Sequence, residues 1–225
     1  MDRLTTDDGC VAVREGTAFE RIWLDETSWV DVARGWLAGA DQLHDLLAEA
    51  TAWRQGRLGR YERWIEEPRL GAWWRVGEEP AHPVLLEAHR ALRSRYRLQA
   101  DGVALARYRD GRDGVAFHRD RELRWLDDTV IGVLTLGQSR SFLLRPRAKR
   151  YDHHSPNGGA THDLAPVSGD LLVMGGRCQA DWEHSVPKIG RPIGERISLQ
   201  WRHTSRRGRP EQGANHSAPR NFSRR

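Results

Sequence analysis

The sequence is poor in cysteine and has no long apolar run. It holds two cysteines, Cys10 and Cys178, among 225 residues, which is too few for a disulfide framework or for a metal site built from cysteine alone. No stretch approaches the ~20 apolar residues of a membrane-spanning helix, so we expect no membrane span. The first ten residues lack the apolar core of a secretory signal. These absences together favour a reducing, cytoplasmic location.

Excess charge is almost absent outside the C-terminal end. The chain has 36 Lys+Arg and 31 Asp+Glu, a net charge of +5. Residues 203–225 contain six arginines and one glutamate, which accounts for the whole excess. They also lack apolar periodicity, so we predict that residues 205–225 form a basic, disordered tail. Such a tail either attracts phosphate groups or is simply solvated.

The N-terminal part, residues 20–100, has mainly helical patterns. Helix-start residues precede the segment SWVDVARGWL at 28–37, which predicts a first helix. Apolar residues recur at helical spacing from Asp41, and Pro83 opens a third amphipathic stretch. Residues 55–77 mix arginine and tryptophan with glycine and proline, which indicates a loop and a short hairpin. We therefore expect this part to be rich in α-helix.

Residues 101–204 instead show short apolar alternations separated by turn signals. Regular short strands of this kind are typical of an antiparallel sandwich or barrel. No repeat or linker is visible, so the sequence predicts one α+β domain over residues 1–204. The predicted strands are Phe19–Leu24, at a sheet edge, and Val103–Tyr108, Val115–Asp120, Thr129–Leu136, Ser141–Leu144, Asp163–Pro166, Asp170–Met174 and Arg196–Arg202.

One constellation in the strand-rich part has the residue types of a metal site. His118 and Asp120 are two residues apart on a predicted strand, so their side chains point to the same face. This pair alone is a weak signal and needs another ligand. His184, which follows the strand 170–174 and a Gly-Gly turn, supplies it. Two histidines and one carboxylate form the facial triad of non-haem Fe(II) oxygenases.

The last predicted strand adds a second, independent signal. Its even spacing places Arg196, Ser198, Gln200 and Arg202 on one face, opposite three apolar residues. Two guanidinium groups on one strand face call for an anion, because arginine holds a carboxylate through two parallel hydrogen bonds. A dicarboxylate that binds a metal at one end would need such an anchor at its other end.

The joint pattern resembles the AlkB family of Fe(II)- and 2-oxoglutarate-dependent dioxygenases. The strand that ends at Tyr108 is similar to the strand preceding the family's metal motif. The segment Glu67-Pro68-Arg69-Leu70 with Trp73-Trp74 is similar to its nucleotide-recognition lid, and the segment 29–47 resembles the helices of bacterial members. The resemblance covers roughly residues 20–204. It implies a jelly-roll (double-stranded β-helix) core over 101–204, with the helices and the lid in 20–100.

The resemblance also implies roles for individual residues. This sequence departs from the family pattern at Ala106 and Ser198, where relatives often have asparagine in contact with the co-substrate. The implied ligands of Fe(II) are His118, Asp120 and His184; the implied co-substrate contacts are Arg196, Arg202, Tyr108 and Ser198; and the implied contacts to the damaged base are Trp74 (or, less favoured, Trp73), Glu122 and Arg69.

The implied reaction consumes O2 and 2-oxoglutarate and releases succinate and CO2. An N-linked methyl group is hydroxylated and leaves as formaldehyde, which restores the base. A methylated base that cannot pair is easily unstacked and flipped into a pocket. The expected substrates are therefore 1-methyladenine and 3-methylcytosine in DNA and possibly RNA. The partners are alkylated nucleic acid and no membrane, and we expect a monomer.

Three other functions stay open at this point. The same iron chemistry could act on a protein side chain or small molecule, the site could be vestigial in a nucleic-acid binder, and a zinc hydrolase could use the same three ligands. Residues 139–151, rich in arginine and free of acids, are either a phosphate platform or a solvated edge. The clusters 152–154 and 162–163 are expected to be a solvated insertion, although they resemble metal ligands.

Overall fold

The computed structural model describes residues 10–60, 63–120, 123, 127–147 and 161–203. In chain order the elements are β1 (Ala12–Val13), β2 (Glu20–Trp23), β3 (Ser28–Ala33), β4 (Leu37–Ala38), α1 (Ala40–Ala50), β5 (Arg54–Arg60), β6 (Arg63–Arg75), α2 (Val84–Tyr96), β7 (Gly102–Tyr108), β8 (Val115–His118), β9 (Thr129–Gly137), β10 (Leu143–Pro146), β11 (His162–Asp163), β12 (Leu171–Gly176), α3 (Cys178–Asp181), β13 (Trp182–Val186) and β14 (Arg196–His203).

Two antiparallel sheets form the core. The large sheet has eight strands in the order β2-β3-β12-β9-β14-β7-β6-β5, and the small sheet has four in the order β11-β10-β13-β8. Strands β1 and β4 make a separate two-stranded pair. The sequence predicted this sheet-rich architecture for residues 101–204, and the two packed sheets are consistent with a jelly-roll sandwich.

The large sheet has two different faces, which we call the inner and the outer face. Residues of the inner face pack with the small sheet, in a cluster that includes Val133, Phe142 and Trp182. Residues of the outer face pack against α1 and α2, in a cluster that includes Leu43 and Leu92. Alternation along each strand divides its side chains between these two clusters.

The predicted helix over residues 28–37 is wrong, because Ser28–Ala33 is the strand β3. The Asp25 side chain accepts hydrogen bonds from the backbone N–H groups of Thr27 and Ser28 at 2.8 and 2.7 Å. The same side-chain chemistry caps helices and makes turns, and here it makes the turn between β2 and β3. Five of the six β3 residues are buried, so the strand lacks the polar alternation that identifies half-buried strands.

Residues 55–77 also differ from the prediction. They form most of a long hairpin, in which β6 has 13 residues and pairs with β5 on one side and with β7 on the other. The other helical predictions are confirmed, with α1 starting at Ala40 and α2 following Pro83. The edge strand predicted at 19–24 is β2. The N-terminal part is thus less helical than expected, because five strands accompany its two helices.

Candidate metal and co-substrate site

The three predicted metal ligands come together between the sheets. One ligand atom each from His118, Asp120 and His184 lies within 4.8 Å of the others. His118, at the end of β8, is the register partner of His184 in β13, so the two imidazoles leave the small sheet on the same side. Their ring centroids are 4.2 Å apart. The sequence did not predict β13, which is the strand that places His184.

The protonation of the two histidines suits a metal. His118 Nδ1 lies 2.9 Å from the carbonyl oxygen of Ala116, which leaves Nε2 for a ligand. Burial lowers the pKa of His118 and lowers that of His184 to about 3. Both rings are therefore neutral at neutral pH, which is the form that binds metal ions. Two neutral imidazoles and a carboxylate fit a divalent iron and leave coordination positions for other ligands.

Asp120 is buried and held at its backbone and its carboxylate. Its backbone N–H donates to Gln179 Oε1 at 2.9 Å, and its Oδ1 lies 3.5 Å from Arg202 Nη1. Arg202 Nη2 in turn donates to Gln200 Oε1 at 2.7 Å. Arg202 thus contacts the carboxylate of the metal group, at the end of β14 away from Arg196.

Strand β14 shows the alternation that the sequence predicted. Ile197, Leu199 and Trp201 are fully buried in the outer-face cluster. Arg196 and Ser198 are also fully buried, on the opposite, inner face. A strand with both faces buried places its polar residues in the protein interior only where another group interacts with them.

The Arg196 guanidinium has the surroundings of an anion site. Nη2 donates to Thr135 Oγ1 at 3.0 Å, Nε to Ser198 Oγ at 3.2 Å and Nη1 to the Arg140 carbonyl at 3.3 Å. All three acceptors are uncharged, and among the residues that the structure describes no carboxylate forms an ion pair with Arg196. Burial lowers its pKa to about 10. A dicarboxylate such as 2-oxoglutarate fits this arginine, because it supplies the missing charge partner.

Tyr108 and Arg69 complete the inner face beside this arginine. Tyr108 is buried in β7 and is the register partner of Arg196. Burial lowers the pKa of Arg69, but its interactions with Tyr108, Glu67 and Asp120 outweigh this, so the pKa is raised overall. Arg69 therefore lies beside both the tyrosine and the metal-group carboxylate, which connects the lid segment to the site.

The two predicted stacking tryptophans lie on opposite faces of the large sheet. Trp74 is 7% exposed in the outer-face cluster, and its indole N–H donates to the Glu78 carbonyl at 3.1 Å. The preference for Trp74 over Trp73 is thus not supported, because Trp74 is buried in the outer-face cluster rather than directed to the face that carries the metal group. Trp73 is the register partner of Ala104, so it lies on the inner face, as do Arg69 and Tyr108.

The other predicted functional residues either lie outside the described residues or have other partners. Glu122 and residues 148–160 lie outside the described residues, as does the tail from 204. Arg140 and Arg145 are not a phosphate platform: Arg140 is buried and donates to the carbonyls of Asp113 and Pro187, and Arg145 pairs with Glu183 at 2.8 Å.

Comparisons with known proteins agree with this geometry. The sequence profile of the 2OG-Fe(II) oxygenase superfamily matches residues 42–209. The chain belongs to this superfamily. Its cofactors are accordingly Fe(II), 2-oxoglutarate and O2, and its class is oxidoreductase of the dioxygenase type. The residues described here fit both the metal and the 2-oxoglutarate.

Two curated relatives carry an AlkB name, which confirms the predicted resemblance. The chain is 30% identical over 181 residues to alpha-ketoglutarate-dependent dioxygenase alkB homolog 3 of Bos taurus, and 28% identical over 178 residues to the Homo sapiens protein of that name. The matches cover 74% and 72% of this chain. They span only 62% and 61% of the relatives' own lengths.

Solved structures confirm the fold. A prolyl hydroxylase from Trichoplax adhaerens, in complex with a hypoxia inducible factor peptide, superposes with a TM-score of 0.55 at 16% identity and covers 77% of this chain and 83% of that one. A Pseudomonas putida prolyl-4-hydroxylase gives 0.50 at 21% identity, over 78% and 92%. No described helix is long and apolar enough to cross a membrane.

Proposed function

We propose that this dioxygenase demethylates N-alkylated nucleobases, 1-methyladenine and 3-methylcytosine, in DNA or RNA. The supporting observation is the position of the β5–β6 hairpin beside the His118, Asp120 and His184 group. Arg69 of this hairpin interacts with Asp120, and the Pro68 carbonyl accepts the backbone N–H of Gly114 at 2.8 Å, just before β8. The hairpin thus lies next to the proposed metal group.

The outer half of the hairpin has surface properties suited to a nucleic acid. Strand β6 pairs with β7 over residues 70–75, whereas its residues 63–66, farther out, pair with β5. Trp64 and Ile65 are 63% and 49% exposed there, and the exposed Arg57 lies beside Glu66, with Nη2 3.7 Å from its carboxylate. Aromatic groups stack on unpaired bases and arginines attract phosphates, which favours a nucleic acid over a small molecule.

Each inner-face residue has a proposed task. His118, Asp120 and His184 would hold Fe(II), which with 2-oxoglutarate and O2 supplies the oxidising chemistry. Arg196 and Tyr108 would bind and orient the distal carboxylate, with Ser198 holding the guanidinium of Arg196. Arg202 would orient Asp120. Trp73 and Arg69 would contact the flipped base, and the apolar walls of the inner-face cluster would exclude water.

The deciding experiment compares two histidines of the small sheet. His184 and His162 are both register partners of Leu144, from opposite sides, but only His184 belongs to the metal group. With Fe(II), 2-oxoglutarate and a methylated oligonucleotide in air, we expect mass spectrometry to show methyl loss with wild type and His162→Ala. His184→Ala should lose more than about 1000-fold in rate, as expected when an essential group is removed.

Other outcomes identify the alternatives. Consumption of 2-oxoglutarate without methyl loss would reject the nucleobase and point to a protein or small-molecule substrate. Equal activity of His184→Ala and wild type would reject the metal group altogether. A single domain over 1–204, a monomeric state and a phosphate-binding tail at 205–225 also remain proposals. Deleting 206–225 should reduce the salt dependence of oligonucleotide binding if the tail contacts phosphates.

A further inference from the structure

Gln179 is a buried amide that neither the metal motif nor the arginine pair includes. It lies in the short helix α3 and is 1% exposed. Its Oε1 accepts the backbone N–H of Asp120 at 2.9 Å. This bond determines which way the amide points, because only its oxygen can accept a hydrogen bond. Among the described residues its Nε2 has no hydrogen-bond partner and is buried, which costs free energy.

The position of α3 in the chain makes this contact important. Helix α3 follows β12 and runs directly into β13, so Gln179 is five residues before His184. Gly175 and Gly176, the last residues of β12 before α3, are tightly packed: a Cβ on Gly175 would meet the Trp29 indole at 1.9 Å, and Gly176 has φ +62°. The backbone of α3 is therefore held in place, and Gln179 connects it to the segment that carries Asp120.

Two other contacts join α3 to residues near Asp120 in the chain. Arg119 Nη1 donates to the Ala180 carbonyl at 2.9 Å, and Arg177 at the start of α3 pairs with Asp127. These bonds involve residues on either side of the ligand. Within the described part of the chain, Gln179 is the side chain bonded to the backbone of the carboxylate ligand.

We propose that Gln179 is a positioning residue of the metal site. By accepting the Asp120 N–H, it fixes the ligand carboxylate relative to His184 and so sets the affinity and geometry of the bound metal. The inference rests on the proposed function of Asp120 and His184 as metal ligands. Groups that orient ligands in this way alter metal affinity about 10- to 100-fold when they are removed.

Cobalt binding tests the proposal without relying on activity. Co(II) is titrated into the full chain with 2-oxoglutarate, and affinity is measured by calorimetry and ligand geometry by the visible spectrum. Gln179→Met keeps the side-chain length but has no acceptor for the Asp120 N–H, so we expect binding about 10- to 100-fold weaker and an altered spectrum. Gln179→Glu retains an acceptor oxygen and should bind within a few-fold of wild type.

A neighbouring residue supplies the control. Cys178 is also buried in α3, but its Sγ donates to the Trp29 carbonyl and makes no bond to Asp120 among the described contacts. Cys178→Ala should therefore leave cobalt affinity and spectrum unchanged, whatever it does to the melting temperature. If Cys178→Ala weakens cobalt binding as much as Gln179→Met, the effect belongs to α3 packing and the proposal fails.

The remaining outcomes separate this inference from the proposed function. If the Asp120→Ala variant no longer binds cobalt but the Gln179→Met variant binds it with wild-type affinity, the positioning role of Gln179 is overturned and the proposed metal group is not. Equal losses in Gln179→Met and Gln179→Glu would also overturn it, because the acceptor would not be the cause. If the Asp120→Ala variant binds cobalt with wild-type affinity, both this inference and the proposed metal group are overturned.

Discussion

The inner and outer faces of the large sheet are built from the same strands but have opposite chemistry. On β14, Arg196 and Ser198 face inward, whereas Leu199 and Trp201 face the helices. Both sets are fully buried, so burial does not distinguish them. The outer face is filled with apolar side chains that pack together, while the inner face holds a guanidinium whose described partners carry no charge. Stability and ligand binding are thereby assigned to opposite sides of one strand.

In the comparison of the two faces, the largest expected effect on co-substrate binding is on the inner face, in Arg196→Met. A bidentate arginine–carboxylate pair has two charged hydrogen bonds of about 1.5–3 kcal/mol each, so the KM for 2-oxoglutarate should rise at least ~100-fold. Without 2-oxoglutarate, the melting temperature should stay the same or increase, because a buried cation is replaced by an apolar chain of similar length. Co-substrate titrations and thermal melts measure the two effects.

The adjacent Leu199 is the matched control. Leu199→Ala should lower the free energy of unfolding by about 2–5 kcal/mol through the cavity it leaves. It should leave the KM for 2-oxoglutarate near that of wild type at temperatures where the protein stays folded. If the KM for 2-oxoglutarate rises as much in Leu199→Ala as in Arg196→Met, the two faces are not functionally separate.

The next largest effect separates the two adjacent tryptophans. Trp74→Ala should cost about 3–5 kcal/mol of stability, because Trp74 fills the outer-face cluster. Trp73→Ala should cost less stability but weaken binding of a methylated oligonucleotide by about 1–3 kcal/mol, the usual contribution of base stacking. Denaturant unfolding and fluorescence anisotropy measure the two quantities. Equal oligonucleotide affinity of Trp73→Ala and wild type would remove Trp73 from the proposed base pocket.

These faces explain what the sequence could and could not predict. The alternation of β14 is a local pattern with a period of two, so Arg196 and its three apolar neighbours could be assigned to opposite faces directly. The strand predicted at Val115–Asp120 ends at His118, so Asp120 reaches the metal group from beyond the strand. Trp73 and Trp74 could not, because adjacent residues of any strand point in opposite directions. Only the pairing of Trp73 with Ala104 determines which of them faces inward.

Long-range contacts account for the other differences. β3 lies between β2 and β12 in the large sheet and is buried on both faces, so its sequence lacks the alternation that would have revealed a strand. Gln179 carries no pattern of its own, since its function depends on the Asp120 backbone, 59 residues away. Arg140 belongs to a basic run that suggests an exposed surface, yet its guanidinium is buried, with its Cζ 5.7 Å from the Tyr108 ring.

The smallest expected effect is that of Ser198→Ala, which removes one contact of Arg196 on the inner face. Ser198 Oγ accepts a hydrogen bond from Arg196 Nε at 3.2 Å, at a position where AlkB-type sequences often have asparagine. Ser198→Ala removes one acceptor, worth about 1 kcal/mol, so the KM for 2-oxoglutarate should rise only ~3- to 10-fold with little change in kcat. The Thr135 and Arg140 oxygens still hold the guanidinium, which is why the effect stays far below that of Arg196→Met. Initial rates at varied 2-oxoglutarate concentrations measure this KM. A rise in KM in Ser198→Ala as large as in Arg196→Met would mean that the serine itself binds the co-substrate.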